Sequence, residues 1–256
     1  MITAGVDCGA KNVKVVILDG DEIRGRALAP AGMDTASAAA TAYEHALEQA
    51  GLTRDDVEMV VSTGAGKHEP KFKTGTVTEV GADARGMIHL HPEVRTIVDV
   101  GNEEGRAIRI DDRGKVVDFA INEKCAAGAG AFTEAMARAL EVPLEQFGAL
   151  SLESTQAIPM NAQCAVFAES EVVTLVHRKT PKADMARAIH DAIADRITSM
   201  VRRVGLEERI ALIGGVAKNV GFVKSLTEDL QTELIIPEEV DYVGAIGAAL
   251  VAAESS

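Results

Sequence analysis

The chain has 256 residues, with 26 Lys and Arg against 39 Asp and Glu, a net charge of −13 and a pI of 4.9. A balance this acidic argues against a nucleic-acid partner, whose phosphates need a basic face. At 47% hydrophobic and 25% charged residues the chain can bury a sizeable core, and no window approaches the roughly 18 unbroken apolar residues of a membrane helix.

The amino end, MITAGVDCGA, lacks the basic stretch of a secretory signal, so a cytoplasmic location is expected. Val6-Asp7-Cys8-Gly9 then opens a hairpin. Val13 to Leu18 is β-branched and apolar, Asp19-Gly20-Asp21 is turn chemistry, and Glu22 to Gly25 returns. Ser37 to Ala50 reads as a helix stopped by Gly51, and Met59 to Gly64 as a buried strand entering a glycine loop. Val98-Asp99-Val100-Gly101 repeats the opening pattern. Arg106 to Ile110 runs to a turn at Asp111-Asp112-Arg113-Gly114, and Lys115 to Phe119 returns. Two copies of the same pattern suggest two related lobes, divided as 1–93 and 94–256, with the last helix able to pack back on the first.

The carboxyl half reads as helices with two strands. Phe132 to Leu140 is launched from Gly128-Ala129-Gly130, Ala165 to His177 follows Cys164, and Met185 to Val204 is longer and amphipathic. Strand Ile210 to Ile213, a Gly214-Gly215 loop, strand Leu234 to Ile236 and a small-residue helix from Gly244 to Ala253 close the chain. Alternating strands and helices indicate α/β layers, and 23 glycines with only 3% aromatic residues suggest closely packed backbone.

An Asp followed two residues later by Gly in a turn between strands joins a carboxylate to accessible backbone amides, which suits magnesium phosphate. One such tripeptide is usually only a turn; the duplication makes a pair, with Lys11 or Lys14 available to neutralise charge. Other phosphate motifs fail. Gly66-Lys67 has Val61 where a Walker loop needs glycine, and Gly128-Ala129-Gly130 lacks the last glycine of a dinucleotide fingerprint. No Cys-x-x-Cys pair indicates structural zinc. Cys8, Cys125 and Cys164 are too few and scattered for a disulfide framework. Cys125 and Cys164 share one context, a turn just before a helix, where a thiolate is favoured. The plain alternative is that each cysteine is a small buried hydrophobe; if the pair ligates metal, two thiolates are half of what a four-iron four-sulfur cluster needs, and the other two must come from another chain.

The segments NEKCAAGAGAF around Cys125, NAQCAVFAESEV around Cys164, GGVAKNVG and DYVGAIGAAL, in this order, resemble the ATPase subunits of the benzoyl-CoA reductase and 2-hydroxyacyl-CoA dehydratase activator family. The resemblance implies an actin/hexokinase-like, ribonuclease H-like α/β fold of two lobes, with ATP and magnesium in the cleft between them. It also implies one [4Fe-4S] cluster bridging two subunits, with Cys125 and Cys164 as this chain's ligands. Carried over by position, Asp7, Gly9, Ala10, Lys11 and Asn12 form the first phosphate loop, and Asp99, Gly101 and Asn102 the second. Gly214, Gly215, Lys218 and Asn219 fall on the adenosine side.

The implied activity is ATP hydrolysis that drives a low-potential electron into a partner acyl-CoA reductase or dehydratase, with a ferredoxin-like donor upstream. The chain departs from the activator pattern in reading DCGAKN and GNEEGRAI, which puts Lys11 in line as a phosphate charge and Glu103 or Glu104 in the water-positioning or metal role. The second departure looks more like the reductase type. That favours a benzoyl-CoA reductase subunit beside a paralogous ATPase subunit, with the homodimeric dehydratase activator as the alternative. A small-molecule kinase of the same fold and an actin-like scaffold, both without a cluster, are the readings from other classes.

Overall fold

A computed structural model describes residues 1–122, 128–160 and 165–255. Cys125 and Cys164 lie outside the described residues. The strands are β1 (Ile2–Cys8), β2 (Asn12–Asp19), β3 (Glu22–Pro30), β4 (Met59–Thr63), β5 (Gly75–Thr76), β6 (Thr96–Val100), β7 (Gly105–Ile110), β8 (Val116–Asn122), β9 (Ile210–Ile213) and β10 (Leu234–Ile235). The helices are α1 (Thr35–Ala50), α2 (Glu79–Leu90), α3 (Ala129–Ala139), α4 (Leu144–Ser151), α5 (Ala165–His177), α6 (Lys182–Val204), α7 (Val220–Leu230) and α8 (Val243–Glu254). No helix among the described residues is long and apolar enough to cross a membrane.

The internal echo extends to whole sheets. One sheet has the order β3-β2-β1-β4-β5, and the other, read from its hairpin edge, β8-β7-β6-β9-β10. In each, a leading strand pairs antiparallel with the next one and parallel with a later one: β1 with β2 and β4, β6 with β7 and β9. The central strands β6 and β9 are buried at every position, which is why they read as unbroken apolar runs and not as alternating ones.

The chain groups into two compact units. Unit 1 comprises Met1–Arg95, Ile110–Val117 and Pro237–Ser256; unit 2 comprises Thr96–Arg109 and Asp118–Ile236. In unit 1, α1 begins where the Asp34 carboxylate accepts the Ser37 amide and stops at Gly51, whose φ of 67° is left-handed. Its Ala39, Ala42, Tyr43, Ala46 and Leu47 pack on Val6, Val13 and Val15 of the sheet. On α8, Ala245, Ile246, Ala249 and Leu250 cluster with Val16 and Leu18.

This second layer is built on missing side chains. A Cβ on Gly5 of β1 would run into the Ala245 carbonyl, and one on Gly247 of α8 into the Ala82 carbonyl of α2. The abundance of glycine and alanine thus expresses backbone-to-backbone packing.

The hairpins, α1, α5, α6, β9 and α8 form where the sequence indicates. Three helices lack a clear sequence pattern: α2, α4 and α7. Helix α2 buries Val80, Ala82, Asp83, Ala84, Gly86 and Met87, and its internal Gly81 and Gly86 are poor helix formers that hide it in the sequence. Helix α3 starts at Ala129, so Gly130 lies inside its first turn and not ahead of it.

Gly247→Ala is expected to lower stability by about 1–3 kcal/mol, the range for overpacked cores. The comparison is the thermal midpoint against Gly75→Ala, whose new methyl would meet only Val61 Cγ2 at an ordinary 3.5 Å.

Candidate functional site

Asp7 stands near the end of β1, opposite Lys14 in the antiparallel register, and Lys14 Nζ donates to Asp7 Oδ2 at 2.8 Å. On its other side Asp7 is in register with Thr63 of β4, and the next residue, Gly64, has φ 88°. A Cβ on Gly64 would lie 2.7 Å from Asp7 Oδ1, so no residue with a side chain fits there without moving the carboxylate. Gly9, Ala10 and Lys11 form the turn that comes next, with Ala10 and Lys11 exposed, and Asn12 starts β2.

Asp99 repeats this arrangement inside unit 2. Its register partner on β7 is Arg106, seven residues on as Lys14 is from Asp7, and Arg106 Nη1 donates to Asp99 Oδ2. Its neighbour on β9 is Ile213, succeeded by Gly214 with φ 86°, where a Cβ would run into Asp99 Oδ1. Both aspartates are therefore held at a strand end between a cation and a left-handed glycine. A carboxylate fixed this way beside an accessible turn fits a magnesium-bound phosphate.

The Asp99 turn is tied to its surroundings. Gly101 N donates to Glu104 O at 2.9 Å, closing residues 101–104 into a turn. Gly130 N and Ala131 N, in the first turn of α3, donate to Gly101 O at 3.1 Å and Asn102 O at 3.0 Å. A Cβ on Gly128 would collide with Asn102 O, so the chain meets this turn three residues after Cys125. Glu104 Oε2 accepts from Arg106 Nη2 at 2.8 Å and so shares that guanidinium with Asp99, whereas Glu103 is exposed.

After Gly214, residues Gly215–Lys218 form a single 3-10 turn with Gly215 and Lys218 exposed. Asn219 joins this turn to α7. Its Oδ1 accepts from Gly221 N at 3.0 Å and Phe222 N at 3.1 Å, and its Nδ2 lies 3.1 Å from Nε2 of His190 on α6. His190 is fully buried, and burial pushes its pKa down to about 4. Cys8 is buried in the core of unit 1, and burial pushes its thiol up to about 12, as for a packing residue.

The described residues place the two aspartates in equivalent settings and put Gly214 against the Asp99 carboxylate. The Arg106 partnership and Gly64 emerge only from the strand register. A signal for both was present: a cation seven positions after each Asp of the Asp-x-Gly pair, and a strand running into glycine at Gly64 as at Gly214. Nothing in the sequence marked His190.

The chain matches the BadF/BadG/BcrA/BcrD ATPase family over residues 4–252, and it belongs to that family. It is 36% identical to the activator of lactoyl-CoA dehydratase from Anaerotignum propionicum, covering 100% of this chain and 99% of that one. It is 35% identical to a benzoyl-CoA reductase subunit from Thauera aromatica, covering 97% and 92%. The activator of the 2-hydroxyisocaproyl-CoA dehydratase from Clostridium difficile, solved with bound ADPNP, superposes with a TM-score of 0.93 at 34% identity over 100% of this chain and 95% of that one. The fold is the two-lobed, actin/hexokinase-like α/β fold.

Gly214→Ala is expected to displace the Asp99 carboxylate and to cost about 1–3 kcal/mol of stability, with loss of ATP hydrolysis exceeding that seen for Gly215→Ala, which meets nothing within 4 Å. Steady-state ATPase assays beside thermal melts separate the two effects. A second expectation concerns pH. His190 has a folded pKa of about 4 against 6.5 for the free side chain, so the unfolded chain takes up its proton first. Its contribution is intact above pH 6.5 and is lost as pH falls toward 4. Urea unfolding across that window is expected to show a shallower decline for His190→Phe than for the unmodified chain.

Proposed function

We propose that this chain is an ATP-hydrolysing electron-transfer component that serves an acyl-CoA dehydratase or reductase partner. The observation that carries the reading is the attachment of the Asp99 turn to the first turn of α3, Gly130 N to Gly101 O and Ala131 N to Asn102 O, because it links a candidate phosphate-binding turn to the segment that bears Cys125.

In this reading Asp7 with Gly9, Ala10, Lys11 and Asn12, and Asp99 with Gly101 and Asn102, hold the magnesium and phosphates. Lys14 and Arg106 fix the two carboxylates, and Lys11 adds a phosphate charge. Glu104 is occupied by Arg106, which leaves exposed Glu103 to orient the attacking water. Little covalent chemistry is required of the protein, since phosphoryl transfer to water is mostly positioning and charge stabilisation. Gly214, Gly215 and Lys218 line the adenosine side, and Asn219 belongs to it through the backbone that ends their turn, its side chain being taken up by Gly221, Phe222 and His190.

Cys125 and Cys164 contribute two thiolates from this chain, a donor set that suits half of a [4Fe-4S] cluster, and a second chain contributes the other two. When bound, the cluster supplies a one-electron carrier of low potential. A change at the phosphates moves the 101–104 turn, and the turn moves the chain that carries Cys125.

The relatives favour a dehydratase activator, and in this reading it works in the cytoplasm as a pair of identical chains. A benzoyl-CoA reductase subunit paired with a paralogous chain is the second reading, favoured by the likeness of the GNEEGRAI segment to the reductase type. The oligomer formed by the chain expressed alone separates them.

Asp99→Asn is expected to suppress ATP turnover while anaerobically purified protein keeps about four iron per pair of chains. Cys125→Ser is expected to lose the iron and still bind nucleotide. An iron-free but ATP-hydrolysing wild-type chain would instead support a kinase-like reading, and stoichiometric iron in Cys125→Ser would remove that residue from the ligand set.

A further inference from the structure

The side chain of Asn219 has no choice of orientation. Its Oδ1 accepts two backbone amides, those of Gly221 and Phe222, which only an oxygen can do. The nitrogen must then face His190, and since an amide nitrogen only donates, His190 Nε2 accepts at 3.1 Å and the imidazole proton sits on Nδ1. Nδ1 has no hydrogen-bond partner among the described residues, and the ring is fully buried, edge-on to Phe147 at 5.2 Å between centroids.

A buried N–H without a partner destabilises the fold, and an apolar side chain of similar size would avoid that cost. The histidine is therefore poorly explained as packing. What it does is hold Asn219. Asn219 in turn ends the Gly215–Lys218 turn, through its amide to Val216 O at 2.9 Å, and begins α7. The turn starts at Gly214, seated against the Asp99 carboxylate, so its two ends are pinned at Asp99 and at His190. Between these two anchors, Gly215 and Lys218 are exposed.

We infer that His190 is a positioning residue for nucleotide binding: by accepting the Asn219 amide it fixes the Gly214–Asn219 turn in the conformation that receives the adenosine. This rests on the reading of that turn as the adenosine side and goes beyond it by naming the residue that sets its shape. His190 is fully buried and reaches the turn through Asn219, so its loss is expected to weaken binding and to leave the hydrolytic step intact.

The test is steady-state ATPase kinetics on variants of the full chain. His190→Phe keeps the ring packing and removes the acceptor; KM for ATP is expected to rise about tenfold, the worth of one buried hydrogen bond, with kcat within about twofold of wild type. His190→Gln, whose Oε1 can accept the same hydrogen, is expected to bring KM back to within about threefold. Asn219→Ser retains a helix cap and loses the donor, so it is expected to match His190→Phe, with no further rise in the double variant.

An unchanged KM in His190→Phe, equal impairment of His190→Phe and His190→Gln, or additive effects in the double variant would overturn the inference. If His190→Phe does not fold, His190→Leu, which also lacks an acceptor, decides it against His190→Gln by the same KM criterion. A wild-type chain that neither binds nor hydrolyses ATP is a different result, since it removes the nucleotide reading itself.

Discussion

Unit 2 is organised around the burial of one carboxylate. Asp99 is 9% exposed at the end of a strand that is buried along its whole length, and an isolated charge there would be costly. Arg106 supplies the counter-charge from the neighbouring strand, and the absence of a side chain at Gly214 supplies the room. Both solutions constrain the adjoining turns. The first commits Arg106 to Asp99 and Glu104, which shapes the 101–104 turn; the second commits the residue after β9 to a left-handed conformation, which sets the direction of the Gly215–Lys218 turn. The carbonyls of the 101–104 turn then receive the amides of Gly130 and Ala131. The proposed phosphate turn, the proposed adenosine turn and the approach to Cys125 are thus built out from one charge.

Unit 1 carries the same device with different attachments. Asp7, Lys14 and Gly64 reproduce Asp99, Arg106 and Gly214, within a sheet of the same strand order. Behind Asp7, however, stands Gly244 in the first turn of α8, where a Cβ would lie 3.7 Å from the Asp7 carboxylate and 3.2 Å from Asp83 on α2. That helix is packed so closely on β1 and α2 that Gly5 and Gly247 are needed to admit it. The unit 1 loop is therefore backed by a rigid layer, whereas the unit 2 loop is backed by the start of a helix that a cysteine precedes. The duplicated hairpin has kept its electrostatics in both copies and differs in what it is connected to.

This division explains what could be read from the sequence. Hairpins, α1, α6 and β9 are set by local periodicity and turn chemistry, and they are legible. Helix α2 is not, because Gly81 and Gly86 interrupt its helical signal, and the close approach of Val243 O requires Gly86. Helix α7 is hidden for another reason: Asn219 is its cap, and an Asn after Gly-Gly-Val-Ala-Lys reads equally well as loop. The aspartates were visible as a repeated tripeptide with Lys14 near the first, but Arg106 was not read as the partner of the second, since a cross-strand partner is defined only once register is known. His190 lies one step further away, tied to the site through a single amide between distant elements.

The energetics of the Asp99 turn also limit what the coupling can be. Two backbone hydrogen bonds, Gly130 N to Gly101 O and Ala131 N to Asn102 O, contribute about 1 kcal/mol each. A state of the turn that breaks or makes both therefore shifts the start of α3 by about 2 kcal/mol, within the usual range of site-to-site coupling. That is enough to change the population of two arrangements by more than a factor of about 10. In the proposed cycle the turn acts as a selector between two arrangements of the start of α3.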